Sequence, residues 1–215
     1  MDHYVKPDPA RAALVVIDTQ NDFTLPGAPA RIAGTTEVVP AISHVLARFR
    51  QLQRPVFHVI RLYKADGSNA DLCRRTLIEN GGAIVRPGTK GAEIVDALKP
   101  DPSVRLDSDA LLAGEAQALG AREWVLYKPR WSAFYGTQLE ALLKAQDVNT
   151  LVFAGCNFPN CPRSSIYDAS SRDFRLVIAT DAISGLYDKG QQELRGIGAA
   201  LMTAAEAGDW LSTHA

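Results

Sequence analysis

The 215-residue sequence predicts an α/β fold in which a mostly parallel sheet is covered by helices on both faces. Two observations support this prediction. Apolar runs of strand length recur along the chain, and segments with helical periodicity lie between them. Within each run the apolar residues follow one another instead of alternating with polar residues, which is typical of strands buried on both faces. Strand and helix therefore alternate, and right-handed crossovers are expected to join the strands.

Five apolar runs are the predicted strands: "AALVVID" (12–18), "PVFHVIR" (55–61), "REWVLYK" (122–128), "NTLVFAGC" (149–156) and "RLVIATDA" (175–182). Helical patterns follow them in turn, over 35–53, 91–99, 132–146, 161–174 and 190–210. Two stretches interrupt this alternation. Residues 62–91 are predicted to form a long functional loop, and residues 100–121 a short helix or an extra strand with a hairpin. At this length one domain is expected, spanning residues 1–215.

Composition argues against several classes of protein. The formal net charge is −1, and Lys and Arg are spread along the chain, so neither a nucleic acid nor an anionic membrane is expected as a partner. The N-terminus lacks a signal-peptide pattern, and no apolar stretch approaches the length that a bilayer requires. Three cysteines are too few for a disulfide framework, which indicates a reducing compartment. A cytoplasmic enzyme with a small-molecule substrate is the expectation.

Polar side chains at the carboxyl ends of the predicted strands are the first candidates for chemistry, because ligands bind there in open parallel sheets. Asp18 ends the first strand, Lys128 ends the third, and Cys161 follows the fourth at the start of a helix. Each alone is commonly a turn residue, a solvated cation or a buried hydrophobe. Together they form a charge-balanced set. Lys128 can supply a cation for a thiolate, Asp18 can accept the thiol proton, and the helix N-terminus adds partial positive charge at Cys161.

Other uses of the cysteines are less well supported. Cys156 lies in the apolar strand, which favours a buried, inert thiol, and Cys73 in the long loop has no evident partner. A redox disulfide between Cys156 and Cys161 remains open, although the spacing is not C-x-x-C and Pro159 stiffens the link. No Cys or His pair has the spacing of a zinc site.

Four segments in this order carry a resemblance to a known family: "LVVIDTQNDF", "PGTKGAEIVDALKP", "YKPRWSAFYGTQLEALL" and "TLVFAGCNFPNCPRSSIYDASSRDFRLVIATDAIS". With this spacing the chain resembles the isochorismatase-like cysteine hydrolase superfamily from residue 12 to residue 210, apart from the stretch 101–121. The resemblance implies a Rossmann-like three-layer α/β/α sandwich and a catalytic set that maps to Asp18, Lys128 and Cys161. It also implies a homo-oligomer, a dimer or a tetramer.

The resemblance extends to the surroundings of the nucleophile. It implies a cis peptide bond between Cys156 and Asn157, and an oxyanion hole formed by the N–H groups of Asn157 and Cys161. Gln20 and Phe23 fall at positions that lie beside the site in the family. The aromatic residues Trp131, Phe134 and Tyr135 are candidates for an apolar wall of the substrate pocket. Phe158 stands where a smaller residue is common, and its ring is expected to reshape the pocket.

The function implied is hydrolysis of a small amide or ureide C–N bond through an acyl-thioester intermediate. Two alternatives remain open: a vinyl-ether hydrolase of the isochorismatase type, and a non-catalytic or redox-sensing member of the fold. Similar nicotinamidases carry an Asp-x-His metal set after the second strand, where this chain has "HVIRLYKADGS". His58 falls inside that strand and no second histidine follows it. We therefore expect no metal and no cofactor, and we disfavour nicotinamide as the substrate.

Overall fold

The computed structural model describes residues 2–214, and its framework is one seven-stranded sheet with the strand order β3-β4-β2-β1-β5-β6-β7. The strands are β1 (Ala12–Ile17), β2 (Val56–Ile60), β3 (Gln117–Gly120), β4 (Glu123–Tyr127), β5 (Thr150–Gly155), β6 (Arg175–Ile183) and β7 (Ala200–Met202). All neighbouring pairs are parallel except β3 with β4. The five apolar runs of the sequence are all strands here, which confirms the predicted α/β fold and its mostly parallel sheet.

Helices cover both faces of the sheet. They are α1 (Asn21–Thr24), α2 (Thr35–Gln51), α3 (Leu72–Glu79), α4 (Ser108–Leu112), α5 (Leu139–Ala145), α6 (Cys161–Ser170), α7 (Asp188–Gly196) and α8 (Ala204–Leu211). Side chains of β1 alternate between two apolar layers. Leu14 and Val16 share one layer with α2 and α8, whereas Val15 and Ile17 share the other with α5, α6 and α7. This arrangement is the three-layer sandwich that the resemblance implied.

The helix predicted over 91–99 is wrong. This segment contains only two short 3₁₀ turns, Lys90–Ala92 and Asp96–Leu98. Between them the chain is extended along residues 19–21: Asn21 N–H donates to Glu93 O at 2.9 Å, and Val95 N–H donates to Thr19 O at 3.1 Å. These backbone bonds replace the helical ones.

The last predicted helix, over 190–210, is two helices separated by strand β7. Helix α7 ends at Gly196, and Gly198 then adopts a φ of 82°, which glycine reaches without the steric penalty of a Cβ. Thr203 begins α8 with a capping box in which its hydroxyl accepts from the Glu206 N–H. Gly198, which favours the end of a helix, and Thr203, which favours the start of one, are both visible in the sequence. The apolar residues around them nevertheless also fit the periodicity of a single helix.

The remaining differences are smaller. The helical pattern over 132–146 forms a helix only over Leu139–Ala145, and the one over 161–174 ends at Ser170. The predicted long loop contains helix α3. Residues 100–121 hold both the short helix, α4, and the extra strand, β3, that were expected. No helix within residues 2–214 has the length and apolar character needed to cross a membrane.

Candidate active site

The carboxyl ends of the central strands bring the candidate residues together. β1 lies between β2 and β5 in the sheet. The chain first adds β2 on one side of β1 and later adds β5 on the other side, so the carboxyl end of β1 is the topological switch point of the sheet. Asp18 N–H donates to Val59 O at 3.0 Å, and Cys156 N–H donates to Ile17 O at 2.9 Å. These bonds continue the ladder just past β1 and fix the strand ends side by side.

Asp18 and Lys128 form a buried ion pair. Lys128 Nζ donates to Asp18 Oδ2 at 2.8 Å, and the two residues are 0% and 4% exposed. Lys128 follows β4, which is two strands from β1 in the sheet, so its side chain spans the end of β2 to reach the carboxylate. The second carboxylate oxygen, Asp18 Oδ1, is buried and has no hydrogen-bond partner within residues 2–214. An acceptor is therefore left free beside the ion pair.

The backbone at Asp18 is strained, with a φ of 52°. Non-glycine residues rarely adopt this left-handed conformation, and Asp and Asn are among those that tolerate it best. Strain of this kind costs about 1–3 kcal/mol and tends to occur at functional sites. The conformation directs the chain away from β1 immediately after the carboxylate is placed.

Cys161 is the first residue of α6 and shares a cavity of about 240 Å³ with Asp18. Burial and the negative charge of Asp18 raise the pKa of the Cys161 thiol to about 12, although the positive charges of Lys128 and Arg61 lower it. The Cys161 thiol is therefore neutral in the resting site. From the sequence we expected the neighbouring cation to favour a thiolate, and in the resting structure the opposing effects are larger.

The turn before the nucleophile is built without the cis peptide bond that the resemblance implied. Within residues 2–214 no cis peptide bond occurs, so that expectation at Cys156–Asn157 is wrong for this structure. A trans bond is the form that non-proline residues prefer by about 3–4 kcal/mol. Two other residues shape the turn instead: Gly155 has a φ of 121°, and Asn160 a φ of −115° with a ψ of −105°.

The two N–H groups proposed for an oxyanion hole are unpaired in the part of the chain that is described. Neither Asn157 N–H nor Cys161 N–H donates a hydrogen bond there, whereas the intervening Phe158 N–H donates to Ser184 O at 2.8 Å. Cys156, on the opposite side of the turn, donates its thiol to Asp18 O at 3.0 Å. Burial raises the pKa of Cys156 well above its usual value, so this thiol stays neutral.

Sequence reasoning missed a second buried ion pair beside the site. The Arg61 guanidinium donates to Asp71 Oδ2 and, at 3.2 Å, to Lys128 O, and the Tyr63 hydroxyl donates to the same Asp71 oxygen at 3.1 Å. Burial would lower the pKa of Arg61, but the acidic groups around it raise the pKa above its usual value, so the guanidinium stays charged. Arg61 ends the apolar run over 55–61, and the rule that selected Asp18 and Lys128 would have selected it too.

The family model of the isochorismatase domain matches residues 12–206 of this chain. The chain belongs to the isochorismatase family. A curated relative from Arabidopsis thaliana, named a probable inactive nicotinamidase, is 34% identical over 173 residues, which are 79% of each chain. Maleamate amidohydrolase from Pseudomonas putida is 31% identical over 173 residues, covering 80% of this chain and 72% of the relative. The crystal structure of an isochorismatase family protein from Desulfovibrio vulgaris is 36% identical, with a TM-score of 0.80 and coverage of 94% of this chain and 98% of that one.

The pocket residues expected from this family are only partly found in the cavity wall. Phe23 and Trp131 line the cavity, together with Ile32, Tyr63 and Asn160, which the sequence did not single out. Phe23 and Ile32 supply apolar surface near the floor. Tyr63 and Asn160 add polar groups.

Gln20, Phe134 and Phe158 lie outside the cavity wall, so their expected pocket role is not supported by the geometry. The Gln20 side chain donates to Arg61 O at 2.8 Å and accepts from Arg61 N–H at 2.9 Å, which makes it a clamp on that strand end. Phe134 packs on Phe174, with ring centroids 6.0 Å apart. Phe158 is fully buried and meets the Tyr187 ring edge-on at 5.3 Å.

No group of three or more His, Cys, Asp or Glu side chains suited to a metal ion occurs within residues 2–214. His58, the histidine weighed as a metal ligand, lies in β2, is buried and bonds Glu123 at 2.7 Å through Nε2. That carboxylate also accepts two bonds from Arg50, at 2.7 and 2.8 Å. His58 therefore belongs to a buried structural network, and the absence of a metal from the mechanism stays a prediction.

Proposed function

We propose that this isochorismatase-family protein hydrolyses a small amide or ureide C–N bond with Cys161 as the nucleophile. The observation that carries the proposal is the buried Asp18–Lys128 pair: Asp18 Oδ1 has no hydrogen-bond partner within residues 2–214, and Asp18 lines the same cavity as Cys161. A thiol, a base and a fixed cation are the components that covalent acyl transfer requires. The cavity of about 240 Å³ has room for roughly eight water-sized groups, so it suits a small substrate.

In the first half-reaction, Asp18 accepts the proton of the Cys161 thiol as sulfur attacks the carbonyl carbon. This transfer moves the negative charge from the carboxylate to sulfur without changing the net charge of the site. Lys128 stays beside both groups, so its positive charge compensates the anion before and after the transfer. Because burial and Asp18 raise the pKa of Cys161 to about 12, the thiolate does not accumulate in the resting site and forms only as the substrate is attacked.

The tetrahedral intermediate then collapses to an acyl-thioester. The oxyanion of the tetrahedral intermediate accepts hydrogen bonds from the N–H groups of Asn157 and Cys161. In comparable sites each such donor lowers the activation free energy by about 3 kcal/mol. Asp18 returns its proton to the nitrogen as the C–N bond breaks and the amine or ammonia departs.

Water completes the cycle. Asp18 takes a proton from a water molecule, the resulting hydroxide attacks the thioester, and the carboxylic acid leaves as sulfur regains its proton. One water is consumed and the Cys161 thiol is restored. The maleamate amidohydrolase relative supports this reaction class, since its name describes the cleavage of a small amide.

A non-catalytic role is the second candidate. It is favoured by the relative from Arabidopsis thaliana that is named as inactive, and by the raised pKa of Cys161. An inactive protein would retain the fold and the ion pair but would turn over no amide.

The experiment is steady-state turnover of a panel of small primary amides, carbamoyl compounds and isochorismate. We expect the wild-type protein to release an amine or ammonia from at least one amide, and Cys161→Ala to lose this activity by at least about 10³-fold. Cys73→Ala is the matched control, because it removes a second thiol that lines the same cavity but has no role in the steps above. Full amide turnover by Cys161→Ala would exclude Cys161 as the nucleophile, and turnover of isochorismate that Cys161→Ala retains in full would favour vinyl-ether chemistry. No turnover by the wild type would favour the non-catalytic role.

We also propose a cytoplasmic location and a homo-oligomer, a dimer or a tetramer. The three cysteines are all free thiols, which supports a reducing compartment. The oligomer is proposed from the family resemblance, and size-exclusion chromatography with light scattering tests it directly.

A further inference from the structure

We propose that a second cavity, at the opposite edge of the sheet from Cys161, binds a small carboxylate that has an apolar body. The cavity measures about 310 Å³ and is lined by Val56 and Glu123, the first residues of the parallel strands β2 and β4. The candidate active site lies beyond the carboxyl ends of the parallel strands, so β2, with five residues, separates the two sites by at least about 13 Å. This inference goes beyond the proposed hydrolase function and does not depend on it.

The charged side chains that line this second cavity make it positive. They are Arg50, Arg54, Arg122 and Glu123. Glu123 neutralises Arg50, whose Nε and Nη2 donate to the carboxylate at 2.8 and 2.7 Å. Arg54 and Arg122 form no ion pair within residues 2–214, and their hydrogen bonds, both at 2.7 Å, reach only a backbone carbonyl and a glutamine side chain. Three positive charges against one negative charge therefore leave the wall of the cavity with a net charge of +2.

Arg54 also has a donor that the protein leaves unused. Its Nη1 donates to Ala10 O at 2.7 Å, which holds the guanidinium in place, whereas its Nε is buried and has no hydrogen-bond partner within residues 2–214. A buried donor without an acceptor is costly, and most costly when it belongs to a charged group. An anionic ligand whose oxygen reached this Nε would supply the acceptor and compensate the charge.

The rest of the wall is mostly apolar, which favours an organic anion over a bare inorganic one. Val56 is 1% exposed, and Pro100 and Ala121 are exposed; all three contribute carbon surface, and the methylene stems of the arginines add more. A cavity of about 310 Å³ is at the lower end of the range for small-molecule sites, so one small ring fits. Guanidinium groups bind carboxylates through two parallel N–H···O bonds, and a carboxylate on such a ring therefore matches both parts of the wall.

A titration with benzoate, followed by ¹H–¹⁵N NMR, locates the binding directly. Benzoate combines a carboxylate with a flat apolar ring, and benzyl alcohol is a neutral probe with the same ring. We expect benzoate to shift the amide signals of Arg122 and Glu123 saturably, with a Kd of roughly 1 mM or below, and benzyl alcohol to bind at least about fivefold more weakly. Inorganic phosphate, which has charge but no apolar body, should also bind more weakly than benzoate. Equal affinity for phosphate would show that the apolar wall contributes nothing and would overturn the assignment of the ligand class.

Two pairs of variants test the contribution of charge. Ala121→Glu adds a negative charge at an exposed position in the cavity wall, and Ala121→Gln adds the same bulk without the charge. We expect benzoate to bind Ala121→Glu at least about fivefold more weakly than Ala121→Gln. Arg54→Gln should weaken benzoate by a similar factor, whereas Arg195→Gln, at an exposed position on α7 outside the cavity, should leave the Kd unchanged. Circular dichroism checks the folding of each variant, and if Arg54→Gln does not fold, the Ala121 pair decides.

Three other results would overturn the proposal. Shifts confined to the amides of Asn157 and Cys161 would place benzoate at the candidate active site alone. The absence of saturable shifts up to about 10 mM benzoate would show that the second cavity binds no such ligand. Equal affinity of the two Ala121 variants would show that its charge plays no part. None of these readouts uses turnover, so the hydrolase function can fail while the second cavity stands, and the reverse.

Discussion

Replacing Asp18 by Asn is expected to make Cys161 more reactive towards iodoacetamide, although it removes the proposed base. The carboxylate of Asp18 raises the pKa of the thiol, while Lys128 and Arg61 lower it. Without the negative charge, the two cations remain and stabilise a thiolate. Asn is the appropriate substitution because it keeps the shape of the side chain and tolerates the left-handed backbone, with its φ of 52°, at this position.

The size of the effect follows from Coulomb's law. Two unit charges about 5 Å apart interact by about 3 kcal/mol at an effective dielectric constant of about 20, which corresponds to a change of about 2 in pKa. The pKa of Cys161 would therefore fall by about 2 from its raised value. At pH 8 the thiolate fraction then rises about 100-fold, and the alkylation rate should rise in proportion.

The assay is the pH dependence of iodoacetamide modification at Cys161, followed by peptide mass spectrometry in a Cys73→Ser background. Asp209→Asn, an exposed position on α8, controls for the change in net charge. We expect the Asp18→Asn rate profile to shift to lower pH while amide turnover is lost. An unchanged or slower alkylation would refute the conclusion that the Asp18 carboxylate raises the pKa of the resting thiol.

Three further predictions concern stability and the fold. Burial opposes ionisation of Glu123, but hydrogen bonds from Arg50 and then His58 lower its pKa to about 2. The ionised carboxylate therefore stabilises the folded state fully above about pH 4.5. This stabilisation is lost as the pH falls towards 2. Urea unfolding should show Glu123→Gln losing up to about 3 kcal/mol of this acid-sensitive stability, and an identical pH profile would contradict it. Gln20→Leu removes two hydrogen bonds to Arg61 and one to Ala92 O and should cost about 2–3 kcal/mol, measured as a lower urea midpoint without a change in m-value. Gly155→Ala would place a Cβ 2.2 Å from a backbone oxygen of β1 and should prevent soluble expression, so a folded variant with unchanged circular dichroism would show that the turn is not constrained.

The sequence pattern was sufficient to predict the strands of the apolar runs, because these strands are buried on both faces and such a strand requires a continuous apolar run. It was insufficient over 190–210, where the alanines suit both a helix and the short strand β7, and the pairing of β7 with β6 decided between them. Over 91–99 the apolar spacing is helical, yet backbone bonds to residues 19–21 hold the segment extended. Such long-range pairing leaves no local signal in the chain.

The residues of the candidate site likewise include some that the sequence predicts and some that it does not. Asp18, Lys128 and Cys161 were found because strand ends and a helix start are visible in the sequence. Arg61 gave the same strand-end signal and was overlooked. Arg74, which also lines the cavity, could not be found, because its place there depends on how helix α3 folds over the strand ends, and the sequence around it reads as a polar loop.

The most direct measurement of the central claim is the capture of the covalent intermediate. The protein is mixed with a hydrolysable amide or with an ester of the same acid, quenched in acid within one turnover, and digested for mass spectrometry. The account predicts an acyl group on the peptide that contains Cys161, bound through a thioester that hydroxylamine removes and absent from Cys161→Ser handled in the same way. Amide turnover at the wild-type rate by Cys161→Ala, with no acylated peptide at any quench time, would contradict it.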